Sequence, residues 1–142
     1  MSEKGLNLKI KISDIPESYQ RYLDEIYIIS RSKKGGWVSN SEIAENLKVE
    51  PASVTGMLEK LKKKGLIKWE PRKAIRLTEE GKRIARQLNE IHALLYQFFS
   101  KVLKIEDELA IEELSCEIEH HITRDVKNSL EQFLSKYLDS EI

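Results

Sequence analysis

Forty residues, Ser39 to Thr78, constrain this chain more than any other stretch. Ser39-Asn40-Ser41-Glu42 has the S-x-x-E pattern in which a hydroxyl takes the N3 amide and the N3 carboxylate takes the cap amide, so a helix starts there. Ile43, Ala44 and Leu47 give it a short apolar face. Lys48-Val49-Glu50 breaks the pattern before Pro51, a residue suited to a first helical turn. Val54, Leu58 and Leu61 then recur at i, i+4 and i+7 and face a core, leaving Ala52, Ser53, Thr55, Glu59 and Lys62 outside. Gly65 ends this second helix after Lys62 to Lys64, where positive charge complements the helix dipole. Ile67-Lys68-Trp69 and Ile75-Arg76-Leu77 alternate as strands around Pro71-Arg72-Lys73-Ala74. Helix, turn, helix and basic hairpin in this order describe a winged helix-turn-helix.

The charge distribution agrees with a nucleic-acid partner. From Lys48 to Arg76 there are nine Lys or Arg against three Glu, a local net of +6 in a chain whose overall net is +0. Small side chains on the second helix permit close approach to base edges, and wing cations suit phosphates. The residues expected to face a DNA operator are Pro51, Ala52, Ser53, Thr55 and Lys60 on the helix and Arg72 and Lys73 on the wing. The competing reading is a solvated helix end on a winged helix that binds protein.

The chain has 142 residues, of which 34% are charged. It contains no run near the roughly 20 apolar residues a membrane span requires and no apolar signal region at Met1-Ser2-Glu3-Lys4. A cytoplasmic protein with no membrane partner is therefore expected. The single cysteine, Cys116, is a core residue, a ligand or a reactive thiol. Residues 1–13 alternate Lys with Leu8, Ile10 and Ile12, as a flexible arm or a strand added to a neighbour.

Asp14-Ile15-Pro16-Glu17 predicts a helix start with an N-cap, a proline and an N3 carboxylate. Tyr19, Tyr22, Leu23, Ile26, Tyr27 and Ser30 mark one face of that helix and Gly35-Gly36 closes it. Trp37-Val38 is expected as a short strand pairing with the wing. Thr78 caps a long helix whose Ile84, Leu88, Ile91, Leu95, Phe98 and Val102 keep an apolar stripe over about 25 residues. Glu106-Asp107-Glu108 opens another, with Ile111, Leu114, Ile118 and Ile122 apolar. After Thr123 and Asp125, the terminal helix carries Val126, Leu130, Phe133, Leu134 and Tyr137, more apolar surface than a small domain needs, and a homodimer seam is its expected cover. From Ile105 onward eleven Asp or Glu face three Lys or Arg, so a basic front half precedes an acidic back half. The predicted organisation is a DNA-binding domain over residues 1–77 and a helical domain over 78–142, all-α apart from the small β-wing.

Cys116, Glu119 and His120 stand at i, i+3 and i+4, on one face of a helix at about 100° per residue. Thiolate, carboxylate and imidazole together suit Fe(II), Co(II), Ni(II) or Zn(II) better than Mg or Ca. Glu112 extends the face, and His92 or Asp24 would reach it from other helices. The bland alternative is a core cysteine beside a solvated Glu-His pair. An enzyme is not expected: C-x-x-E-H echoes the metallohydrolase H-x-x-E-H, but it lacks the first histidine and a downstream ligand set.

Val38-Ser39 with Glu42-Ile43-Ala44, Val49-Glu50-Pro51-Ala52-Ser53-Val54-Thr55-Gly56-Met57, Gly65-Leu66-Ile67, Leu77-Thr78-Glu79-Glu80-Gly81, His92 and Cys116-x-x-Glu119-His120 occur in an order that resembles the diphtheria toxin repressor family of metal-dependent transcriptional repressors. The likeness runs from about Arg21 to the C-terminus. In length the chain resembles the manganese branch, which lacks a third, SH3-like domain; in having Cys116 it resembles the iron branch. The resemblance implies Glu119, His120, Cys116 and His92 as ligands of a divalent transition metal (iron, zinc or manganese), with Asp24 matching a first-helix carboxylate. It further implies that metal biases the paired recognition helices toward half-sites about 34 Å apart. Two positions depart from the family pattern. Arg21 stands where Met or Asp is a ligand and Tyr96 where the iron branch has Glu, which predicts one metal per chain and Arg21 paired to a carboxylate. The alternative is a winged-helix regulator that is metal-independent or responds to redox or a small molecule.

Overall fold

In the computed structural model, which describes residues 11–70 and 72–140, the first helix starts later than the sequence suggests. Helix α1 spans Glu17–Arg31 with Pro16 at its N-cap and no side-chain cap, while Asp14 belongs to a separate 3-10 turn, Ile12–Asp14. The cause is Ile15, which the following proline holds extended (φ −109°, ψ 126°). Order before the helix comes instead from Gln20, whose buried amide donates to the carbonyls of Ile12 (3.0 Å) and Ile15 (2.7 Å). Leu23, Ile26 and Ile29 form the buried face with it. The arm or strand expected over residues 1–13 lies, up to residue 10, outside the described residues.

Helix α2, Asn40–Leu47, begins at the expected capping box: the Glu42 amide donates to Ser39 Oγ (3.1 Å) and the Ser39 amide to Glu42 Oε1 (2.9 Å). Lys33 pairs with the same carboxylate and, with these bonds, holds it below the usual range. Lys48 then turns left-handed at φ 58°, and the Val49 amide reaches back to the Ala44 carbonyl. A left-handed lysine costs about 1–2 kcal/mol. Val54, Leu58 and Leu61 of helix α3, Pro51–Lys63, are fully buried, and at roughly 1.5–3 kcal/mol each their burial outweighs that strain. Helix α3 ends in a Schellman motif at Gly65 (φ 75°), with Gly65 N–H bonded to the Lys62 carbonyl and Leu66 N–H to that of Leu61.

Strands β1, Ile67–Lys68, and β2, Arg76–Leu77, pair antiparallel with Ile67 opposite Leu77. The strand expected at Trp37-Val38 reduces to a single bridge, in which Val38 and Ile75 exchange both backbone bonds. Trp37 stays partly exposed with the Arg76 guanidinium over its ring. The wing turn brings the Lys73 amide to the Glu70 carbonyl with Arg72 at φ 68°; Pro71 lies outside the described residues.

Helix α4, Glu79–Gln97, continues into a π-helical turn, Phe98–Val102. Thr78 caps it by accepting from the Gly81 amide (3.1 Å) and donating to the Gly65 carbonyl (2.8 Å). Helix α5 spans Glu108–Ile118 and helix α6 Arg124–Ser140, started by Asp107 and Thr123 respectively. Between them Glu119–His121 tightens into a 3-10 turn. The chain divides into two compact units, Met1–Arg86 and Gln87–Ile142, and the division falls within α4. Within the second unit α6 meets α4 through Lys127 and Glu90 (3.0 Å) and continues at its edge through Phe98 and Phe133, edge to face at 6.3 Å. Ile111 and Leu134 are buried, whereas Leu114, expected on the apolar face of α5, is partly exposed.

Candidate metal centre and nucleic-acid interface

The expected DNA-facing residues of the first unit lie largely in solvent. Pro51, Ala52, Ser53 and Lys60 are exposed on α3, as are Arg72 and Lys73 on the wing. Thr55 differs. Its hydroxyl donates to the Pro51 carbonyl (3.2 Å) and accepts from the Asn40 amide (3.1 Å), so it joins the start of α2 to α3. Gly56, beside it, is exposed, and a Cβ there would meet nothing within 4 Å. On the wing, Lys73 also pairs with Glu70 at 3.1 Å in an exposed contact that screening makes weak.

The expected metal ligands distribute between the two units. Cys116 is half-buried on α5, and Glu119 and His120 are buried in the 3-10 turn that follows. The helix therefore stops at Ile118 instead of carrying all three ligands on one α-helical face. His92, on α4, reaches this turn. Its Nδ1 donates to Glu119 Oε1 (2.8 Å) and its Nε2 to Glu112 Oε2 (3.1 Å). Ionised carboxylates only accept, so both bonds together require protons on both ring nitrogens. The Glu119 hydrogen bond is the main reason the imidazole pKa rises from 6.5 to about 9 despite its burial, and Glu112 adds to it. His120 Nε2 stands 4.0 Å from Glu119 Oε2.

Asp24 is half-buried on α1 in the first unit. Arg21 pairs with Glu17 at 2.7 Å, one turn earlier on the same helix. Among the described residues, no three His, Cys, Asp or Glu side chains are disposed to hold an ion together. The donor chemistry nevertheless fits a transition ion. Glu119 is fully buried, and a carboxylate there demands compensating positive charge. Imidazolium His92 supplies it in this arrangement; a divalent cation would supply it equally, with imidazole and thiolate donors nearby in sequence.

Sequence reading grouped His92 and Glu112 with the Cys116, Glu119 and His120 face as metal donors, but gave no sign that His92 bonds directly to both glutamates. The bonds between α4 and α5 depend on where a turn of each helix ends up. On the terminal helix, Leu134 is buried within the chain, Val126 and Phe133 are 49% and 47% exposed, and Leu130 and Tyr137 are intermediate. Tyr137 stacks on Phe133 at 5.7 Å. Leu103, Ile105 and Leu109, which the periodicity did not single out, join Leu114 in adding exposed apolar surface in the same unit. No helix among the described residues is long and apolar enough to cross a membrane.

Known proteins resemble this chain in sequence and fold. An HTH-type transcriptional regulator of Methanocaldococcus jannaschii is 29% identical over 123 residues, covering 87% of this chain and 97% of its own. The regulator MntR of Bacillus velezensis is 32% identical over 124 residues, covering 87% of this chain and 84% of its own. Among solved structures, the manganese regulator SloR superposes with a TM-score of 0.68 at 29% identity, and ScaR with bound Zn2+ with 0.69 at 27%. Each match covers 82% of this chain and 53% of the solved one, so the chain spans about half the length of those proteins. Residues 14–75 match the family model described as the iron dependent repressor N-terminal DNA binding domain, and residues 78–139 the iron dependent repressor metal binding and dimerisation domain. With the two models matched in this order, the chain belongs to the iron dependent repressors, the diphtheria toxin repressor family of transcriptional regulators.

Proposed function

We propose that the protein is a metal-responsive transcriptional repressor that binds duplex DNA as a homodimer and has no enzymatic role. The observation that carries the metal reading is buried Glu119, hydrogen-bonded to His92 and 4.0 Å from the His120 imidazole. Cys116, Glu119, His120 and His92 would hold one transition ion per chain, and the ion would supply fixed positive charge in place of the proton His92 carries. Thiolate and imidazole favour Fe(II), Zn(II), Co(II) or Ni(II) over Mn(II). As a ligand His92 would give up the proton on one ring nitrogen and so release one of its two carboxylate partners. Asp24, matched by the sequence resemblance to a ligand, is the further candidate on α1.

On the DNA side, the exposed start of α3 would read bases and the wing cations would grip phosphates. Val126, Leu130, Phe133 and Tyr137, backed by Leu134, would form the seam between two copies and so hold two recognition helices together. Metal changes DNA affinity only as far as it binds one arrangement better than another.

The test is element analysis of the purified protein beside a DNA mobility shift with and without chelator. One transition-metal equivalent and a shift abolished by chelator are expected. Equal DNA binding with chelator and with added metal would instead establish a metal-independent regulator.

A further inference from the structure

A cavity of about 250 Å³ opens in the first unit between the last turn of α1, the Gly35–Gly36 turn, β2 and the first turn of α4. Three of its lining residues are cationic, Arg31, Arg76 and Lys82, and none is acidic. None of them belongs to the assigned DNA or metal residues. We propose that this cavity binds a phosphate-type oxyanion through Arg31, Arg76 and Lys82.

Neighbouring groups leave these cations suited to the task. The Arg31 guanidinium lies over the Tyr27 ring at 5.5 Å and that of Arg76 over the Trp37 ring at 5.3 Å. Stacking of this kind fixes a guanidinium plane while leaving its N–H edges for an oxyanion. Lys82 stands 3.9 Å from Glu79, but the Glu79 side chain is 88% exposed, so solvent screens the attraction. The C-terminal end of α1 opposes an anion with about half a negative charge. That is small beside three full cations, and the Ser32 amide and hydroxyl already occupy the Ile29 carbonyl there. The hydroxyl of Ser30 donates to the Tyr27 carbonyl (2.8 Å), so recognition falls to the charged groups. Gly35 and Gly36 both take positive φ (79° and 73°) and add no side chain to the wall. The volume equals roughly eight water molecules at about 30 Å³ each, room for phosphate or a small phosphate monoester.

The oxyanion has two possible sources, a DNA backbone phosphate or a free phosphorylated solute, and two measurements separate them. In the first, thermal unfolding of the full chain in chelator is followed with inorganic phosphate against chloride at equal ionic strength. In the second, the salt slope of duplex binding in saturating metal is compared between the parent and Arg31→Gln. Lys82→Gln serves as a second variant, and each variant is first matched to the parent melting curve in chloride. A saturable phosphate-specific rise in Tm, lost in both variants with the salt slope unchanged, identifies a free oxyanion. A slope flattened by about one in Arg31→Gln identifies a backbone phosphate. If phosphate stabilises no more than chloride and the slope is unaffected, or if the variants behave as the parent in both measurements, the proposal is overturned.

Discussion

Gly81 shows how little room one position can leave. A Cβ there would stand 2.1 Å from the Leu66 carbonyl oxygen, which already accepts from the Thr78 amide at 3.1 Å. Backbone on both sides cannot yield as a flexible side chain would. Gly81→Ala should therefore cost about 3 kcal/mol or more, read as a lowered urea midpoint at unchanged slope. A variant as stable as the parent would show that α4 does not approach the end of α3 this closely. His92 gives a pH signature in the metal-free protein. Its folded pKa is raised, from 6.5 to about 9, so its contribution is complete below pH 6.5 and is lost as pH rises through about 9. The gap corresponds to roughly 3 kcal/mol. Urea midpoints measured from pH 6 to 10 in chelator should fall across that window, and His92→Asn should flatten the fall. Parallel curves for parent and variant would remove the double carboxylate pairing.

At the scale of elements, the proposed DNA contacts divide between helix α3 and the wing. Replacing Arg72 and Lys73 together should weaken binding to all sequences alike and reduce the salt slope by about two, because phosphate contacts release counterions without reading bases. Undiminished binding of the double variant at every salt concentration would exclude the wing. Ser53→Ala should change preference between sequences. Thr55→Val should act mainly by loosening the α2–α3 turn, because its hydroxyl is held by Asn40 and Pro51.

Such differences mark what the sequence made legible. Ser39 and Glu42 announce α2 because a capping box is made of residues three apart, and Gly65 announces the end of α3 because the backbone there needs φ 75°. Signals of that kind are local. Gln20 is polar and reads as a surface residue, yet it is buried because two carbonyls before α1 need a donor. Thr55 reads as an outward residue because its partner Asn40 lies fifteen residues away. The spacing of the proposed donors from Cys116 to His120 can be read from the sequence, but the change from α to 3-10 geometry after Ile118 cannot. Nor does any residue type signal the π-helical turn at Phe98–Val102.

For the whole molecule, a basic unit with the helix-turn-helix precedes an acidic one that carries the proposed metal donors and the exposed apolar residues of α5 and α6. Val126→Glu with Phe133→Glu alters half-exposed positions and spares buried Leu134, so each chain should still fold. Light scattering should then give half the parent mass, and affinity for a two-half-site duplex should drop on the order of a hundredfold, as the linked second contact is lost. Unchanged mass would place the seam elsewhere. The central claim is that metal on the Cys116, Glu119, His120 and His92 donors controls DNA affinity. It is tested most directly by titrating the chelator-treated protein with Co(II) in the presence of a fluorescent operator duplex. The thiolate charge-transfer absorbance and the DNA anisotropy are then read from the same cuvette. Both signals should rise together and saturate near one equivalent per chain, and Cys116→Ser should lose the band and weaken the anisotropy response. Anisotropy already at its maximum before any cobalt is added, or a band that saturates while DNA binding stays constant, would contradict it.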